Sequence, residues 1–155
     1  MRGLYTAGYN ATGVNSSPRT LMYITAPSGK VVELIEAHVT IHSTTDGQIE
    51  VAIQRITTLG TPTATAVTPT PHELGDQAAG STVAANVTMD EPVYTAGKFF
   101  NLQSQPSRSG WHWYSTQVRG NQIYVAHTAS IGLLLNAGIT VSTIVDLSVT
   151  FREIG

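Results

Sequence analysis

The 155-residue sequence contains no cysteine, which excludes disulfides, thiolate metal ligands and thiol nucleophiles. Charge is scarce: only 12% of residues are charged, and the eight Lys and Arg residues are scattered rather than gathered into a stripe. A protein that neutralises a run of phosphates needs such a stripe, so we expect no nucleic-acid partner.

Long apolar runs are lacking as well. No stretch approaches the roughly 18 apolar residues that would span a bilayer, and the first residues lack the apolar segment of a signal peptide. We therefore expect a soluble protein without a membrane partner, whose mature chain begins at Met1.

What the sequence has is alternation with a period of two. From Val145 to Phe151, apolar residues alternate with Asp146, Ser148 and Thr150, as in a strand with one buried and one solvated face. A second alternation runs through Ile49, Val51 and Ile53 after the turn signal Asp46-Gly47. No stretch shows a sustained helical period. The pattern predicts an all-β protein.

Turn residues separate the remaining β-prone segments. Further strands are predicted at Leu21–Thr25, Val31–Ile41, Pro92–Leu102, Trp111–Thr116, Gln122–Val125, Ile131–Leu135 and Ile139–Phe151. In the second of these, Ile35, Ala37, Val39 and Ile41 are expected to share one face. About eight or nine strands favour an antiparallel β-sandwich, with a jelly roll as the preferred version.

The domain organisation follows from composition. Residues 1–18 are rich in Gly, Asn and Ser, so we expect an N-terminal arm or a loose tail rather than core. Residues 19–155 form a single sandwich domain. Within it, residues 57–90 are predicted to be a long Thr/Pro-rich loop, either extended on the surface or disordered.

Residues suited to catalysis or metal binding are dispersed. His38 and His42 share one strand face but lie roughly 13 Å apart along it, too far for one zinc ion. Glu33 and Glu36 are predicted on opposite faces, which excludes a paired acid and base. We therefore expect no enzyme, no cofactor and no metal.

Aromatic and apolar residues are the candidates for binding. Trp111 and Trp113 share one strand face and Tyr114 lies opposite, which suits sandwich core, a subunit seam or a sugar-stacking platform. Apolar side chains of the N-terminal arm could also contact a partner. The interface candidates are Leu4, Tyr5, Tyr9, Phe99, Phe100, Trp111, Trp113 and Tyr114.

Several motifs occur in an order that resembles a known family, the head-decoration proteins of tailed bacteriophages and prophages. The chain has a Thr/Pro-rich lead followed by a Leu-x-x-Gly-Asp-like element, and later an aromatic strand and a terminal Phe-x-Glu-x-Gly-like element. It departs from the family after Trp113, where a proline- and glutamate-rich stretch is expected and residues 114–120 stand instead. The matching segments are Ala26–Val32, Pro69–Gly80, Thr82–Asn86, Gly110–Trp113 and Phe151–Gly155.

The resemblance covers most of the chain from about Thr20. It implies a homotrimeric β-sandwich or jelly-roll protein that binds the major capsid protein on the outer capsid surface of the virion and stabilises the capsid. The alternatives left open are a carbohydrate-binding β-sandwich module and another structural protein of a phage neck or tail.

Overall fold

A computed structural model describes residues 3–116, 122–139 and 141–155. These residues form twelve strands: β1 (Leu4–Val14), β2 (Arg19–Thr25), β3 (Val31–His42), β4 (Gln48–Thr58), β5 (Thr63–Val67), β6 (Thr70–Pro71), β7 (Thr82–Met89), β8 (Val93–Pro106), β9 (Trp111–Tyr114), β10 (Ile123–Val125), β11 (Ser130–Ala137) and β12 (Thr143–Ile154).

The strands form two antiparallel sheets that pack face to face. Sheet A has the order β10-β3-β12-β1-β6, with β9 also paired to β3, and sheet B has the order β5-β7-β2-β11-β4-β8. Consecutive strands often lie in different sheets, for example β1 and β2, β3 and β4, and β11 and β12. This order and connectivity are those of a jelly roll, extended by the insertion β5–β7 between β4 and β8. The predicted all-β sandwich is confirmed.

The expected eight or nine strands were too few. Residues 57–90, predicted as a loop, contain β5, β6 and β7. In β7 the apolar residues Val83, Ala85 and Val87 are buried and alternate with the partly buried Ala84 and Asn86. These short strands, rich in Thr, Ala and Val, are held by pairing: β6 pairs with β1, β7 with β2, and β5 with β7. Because their structure depends on those partners, composition alone does not predict it.

The N-terminal arm is a correction. β1 lies between β12 and β6 in sheet A and pairs with β12 from Leu4 to Val14, so residues 4–14 are sheet rather than arm. Its side chains alternate inward, and Tyr5, Ala7, Ala11 and Val14 are all buried in the core. Pairing with β12 and β6 supplies the backbone hydrogen bonds that this segment could not make alone.

One bulge decides which side chains of β3 face the core. Glu36 pairs with Thr150 but Leu34 pairs with Phe151, so Ile35 is an extra residue on β3. Val32 and Leu34 before it, and Ala37, Val39 and Ile41 after it, are consequently all buried. The prediction that Glu33 and Glu36 lie on opposite faces is wrong for the same reason, because both face away from the core.

A buried carboxylate ends the core-facing row of β12. Glu153 is 1% exposed and accepts hydrogen bonds from the Lys30 ammonium at 2.8 Å and from the backbone N–H and hydroxyl of Ser81, both at 2.7 Å. Burial raises the pKa of this carboxyl, but the hydrogen bonds from Lys30 and Ser81 outweigh it and hold the pKa below its usual range. Glu153 thereby ties β12 to the start of β7 and to the turn before β3.

The outward face of sheet B is partly covered by its own edge strand. Tyr94 of β8 lies across this face, with its hydroxyl 2.8 Å from the Thr20 hydroxyl. The ring passes over Gly132 of β11, where a Cβ would come within 2.2 Å of the Tyr94 hydroxyl oxygen. Burial raises the pKa of Tyr94. Only a glycine at position 132 leaves room for this side chain.

Removing residues 1–18 is expected to unfold the protein, because β1 supplies four core side chains and one side of the hydrogen-bond ladder of β12. The lost apolar burial, about 1.5–3 kcal/mol for a large side chain such as Tyr5 and less for each alanine, is comparable to the whole stability of a typical domain. Circular dichroism melting of the deletion, beside a control lacking only residues 1–2, is the measurement. A deletion that melts near the parent would show that β1 is dispensable.

Acidification is expected to weaken the fold through Glu153. Its folded pKa is lowered, so its contribution to stability is complete above the ordinary glutamate value of about 4.3 and is lost as the pH falls through the folded pKa. Glu153→Gln should cost about 1–3 kcal/mol at pH 7 and flatten the pH dependence. Denaturant unfolding from pH 7 to pH 3, with the exposed Glu73→Gln as control, tests this. Parallel curves for the parent and Glu153→Gln would contradict it.

Candidate functional site: an aromatic groove between two sheet edges

The two sheets leave a groove at one side of the sandwich, where β8 ends sheet B and β9 and β10 lie beside β3 in sheet A. The groove has a volume of about 470 Å³. Four of the predicted interface residues converge on it from the two sheets. Its lining consists of Phe99, Phe100, Trp113, Tyr114, Thr116, Gln122 and Ile123.

Two of the rings are open to solvent. Phe100 is 45% exposed and Tyr114 is 56% exposed, whereas Phe99 and Trp113 are partly buried. The guanidinium of Arg55 lies over the Phe100 ring, 5.6 Å from its centroid, which is within the range of a cation–π contact. Thr116 and Gln122 add a hydroxyl and an amide. The groove therefore offers apolar ring faces and a few polar groups to a partner.

Trp111 does not belong to this surface. It shares a strand face with Trp113, as predicted, but it is fully buried in the core opposite Val39, whereas Trp113 lies nearer the groove and packs on the core from outside. The prediction of Trp111 as an interface residue is therefore wrong. Alternation along a strand identifies the face of a residue but not how close to the sheet margin it lies.

The three N-terminal candidates lie elsewhere. Tyr5 is 3% exposed, with its ring 5.7 Å from that of Phe151 and its hydroxyl donating to the Gln77 carbonyl at 2.9 Å. Burial is the main cause that raises the pKa of Tyr5. Leu4 and Tyr9 are partly buried on the same strand. Tyr5 is thus a core residue, and two strands, β12 and β3, separate β1 from β9 and β10.

Sequence reasoning missed a polar cluster beside the groove, on the outward face of sheet A. His38 and His112 stand opposite each other in register with ring centroids 3.8 Å apart, and both rings lie within 6 Å of the Tyr114 ring. Glu36 contacts His38. The pairing of β9 with β3 creates this cluster, and no pattern within either segment reveals it.

A second polar group lies farther along the same face. The Asp146 carboxylate accepts hydrogen bonds from His42 and from Asn10, both at 2.5 Å. The hydrogen bond from His42, followed by that from Asn10, lowers the pKa of this carboxyl. His38 and His42 lie on one face as predicted, and each has its own carboxylate partner.

Neither polar group forms a metal centre. Across residues 3–116, 122–139 and 141–155, no three His, Asp or Glu side chains are arranged to hold a metal ion. The described part of the chain also contains no helix long and apolar enough to cross a membrane. Of the stretch in which the chain departs from the family pattern, residues 117–120 lie outside the described residues.

A smaller cavity of about 250 Å³ opens at one end of the sandwich, among the connections between β3 and β4, β8 and β9, and β11 and β12. Its lining combines Ser and Thr hydroxyls with apolar side chains, and the Asp46 carboxylate of this lining is paired with the Arg108 guanidinium at 2.9 Å. Two titratable residues of the described part of this lining, His42 and Asp46, each pair with another side chain of the protein. This cavity offers less chemistry than the aromatic groove.

Comparison with known proteins adds no relative: no family model, no curated protein and no solved structure matches the chain.

The different positions of the two tryptophans can be tested by fluorescence, because the chain has no others. In Trp113→Phe the remaining Trp111 should emit at short wavelength and resist acrylamide. In Trp111→Phe the remaining Trp113 should be quenched more readily. Trp111→Ala should also cost about 3–5 kcal/mol of stability, as for other large core truncations. Equal quenching of the two single-tryptophan proteins would contradict the assignment.

Proposed function

We propose that this protein is a structural component of a bacteriophage virion that decorates and stabilises the capsid as a homotrimer. The single observation that carries the proposal is the jelly-roll sandwich with a solvent-open aromatic groove. Jelly rolls are frequent among viral capsid proteins and lectins, whose work is binding rather than catalysis. The ordered set of motifs that resembles head-decoration proteins supports the capsid role over the lectin role.

The character of the surface supports an assembly role. Few side chains are charged, and the exposed positions of β1, β5 and β8 are mostly small, hydroxyl or amide residues. Such faces lose little side-chain entropy when they are covered. On a capsid the same contact repeats many times, so weak individual contacts suffice for stable binding. The partner in this proposal is the major capsid protein, and the location is the outer surface of the capsid.

A carbohydrate-binding module is the second candidate, and the groove is the observation that favours it. Exposed rings of Phe100 and Tyr114 present flat apolar faces, and Thr116 and Gln122 could hydrogen-bond sugar hydroxyls. A groove of this size falls within the usual range for small-ligand sites. Among its lining residues, however, none is a carboxylate, so its capacity to accept hydrogen bonds from sugar hydroxyls rests on the uncharged side chains of Tyr114, Thr116 and Gln122.

Binding to capsids that lack the protein is the decisive test. The purified chain should co-sediment with such capsids up to a saturating ratio and raise their melting temperature, because a ligand that binds only the assembled state stabilises it. Capsids that already carry the protein are the control and should take up no more. If the chain stays in the supernatant but is retained on a polysaccharide, the binding-module function replaces the capsid role.

A further inference from the structure

One apolar side chain is held outside the fold. Leu74 is fully exposed at the tip of the turn that follows β6. The turn is anchored on both sides: the His72 N–H donates to the Leu4 carbonyl at 2.9 Å, and the Gln77 carbonyl accepts from Tyr5. A single exposed leucine is ordinary, but here a fixed turn presents it away from the core.

The aromatic groove lies at the opposite side of the sandwich. β6 is the last strand of sheet A at one edge, whereas β9 and β10 lie beside β3 at the other edge. The Leu74 turn and the groove of one molecule therefore cannot meet each other. A neighbouring molecule, rotated relative to the first, can bring its turn toward this groove.

The charges at the two surfaces are complementary. Exposed Glu73 precedes Leu74, and partly exposed Asp76 closes the turn through its N–H to the Glu73 carbonyl at 3.2 Å. At the groove, the Arg55 guanidinium covers Phe100, and exposed Lys98 precedes Phe99. The nearby Glu36 is engaged by His38. The Leu74 turn, an apolar side chain flanked by carboxylates, is thus complementary to the aromatic groove, which is flanked by cations.

We propose that copies of this chain associate head to tail, with Leu74 of one copy inserted between the groove aromatics of the next. This inference rests on the self-association in the proposed function and names the contact that produces it. A contact between different surfaces of identical subunits is heterologous, and it closes into a ring when the rotation fits. With a rotation of about 120° between neighbouring copies, three such contacts complete a trimer in which every turn and every groove is occupied; without that rotation the series stays open.

The test uses one variant on each surface. Leu74→Asp removes the apolar side chain of the turn, and Phe100→Asp places a carboxylate in the aromatic groove. Both positions are solvent-exposed, so we expect both variants to fold. Each change is expected to weaken self-association roughly thirtyfold or more, as for the central residues of an interface. Met89→Asp is the control, because Met89 is exposed but belongs to neither surface. Sedimentation velocity measures all four proteins.

Mixing the two variants makes the test specific. The Leu74→Asp protein keeps its groove and the Phe100→Asp protein keeps its turn, so an equimolar mixture should form a one-to-one dimer of about twice 16.5 kDa. Each variant alone should remain a monomer.

Other outcomes separate this contact from the capsid role. An oligomeric parent whose variants associate unchanged overturns the contact, as does a monomeric parent that still decorates capsids. Loss of polysaccharide retention in Phe100→Asp at unchanged mass makes the groove a sugar site and also overturns it. If both substitutions weaken self-association but the parent does not bind capsids, the contact is supported and the capsid role is contradicted.

Discussion

The fold depends on β12, which is the central strand of sheet A and joins the two halves of the molecule. It pairs with β3 on one side and with β1 on the other over most of its length. Its inward row, Val145, Leu147, Val149 and Phe151, is buried against sheet B, and Glu153 ends the row with a buried carboxylate that binds Ser81 and Lys30. The preceding strand β11 is equally central in sheet B, between β2 and β4. One pair of consecutive strands thus anchors both sheets.

The position of β12 determines where the remaining polar groups lie. Because its pairing with β3 contains a bulge at Ile35, two successive parts of β3 both turn their apolar side chains inward. The outward face then collects Glu33, Glu36 and His38, and the pairing of β9 adds His112. Glu36 contacts His38, His38 packs against His112, and Glu33 pairs with Arg152, so the polar groups of this face have partners within the fold. In the aromatic groove beside it, the Phe100 and Tyr114 rings remain open to solvent.

Alternation within a segment was enough to predict β3, β4 and β12, because a two-residue period directly reports a strand with one buried face. β1 was missed since Gly8, Asn10 and Gly13 dilute its pattern, and it becomes a strand only between partners distant in sequence. The groove was predicted only as a set of aromatic residues. Which of them meet depends on β8 and β9 lying at neighbouring edges of different sheets, and this placed Trp111 in the core and Phe100 on the surface.

Stability and association are separated in this structure. Core side chains of β1, β12 and their neighbours hold the sandwich, whereas Leu74, Phe100 and Tyr114 contribute little to it because they are exposed. Changes at the exposed positions can therefore alter assembly without unfolding the subunit. This separation suits a protein whose proposed role is to repeat one contact on a lattice.

Hydrogen exchange measured at low and high protein concentration tests the central claim, that assembly covers two opposite edges of one sandwich. The account predicts concentration-dependent protection in residues 72–76 and in residues 99–102 and 113–116 together, with the core strands unchanged. Protection confined to one of the two edges, or identical exchange at every concentration in a protein that decorates capsids, would contradict it.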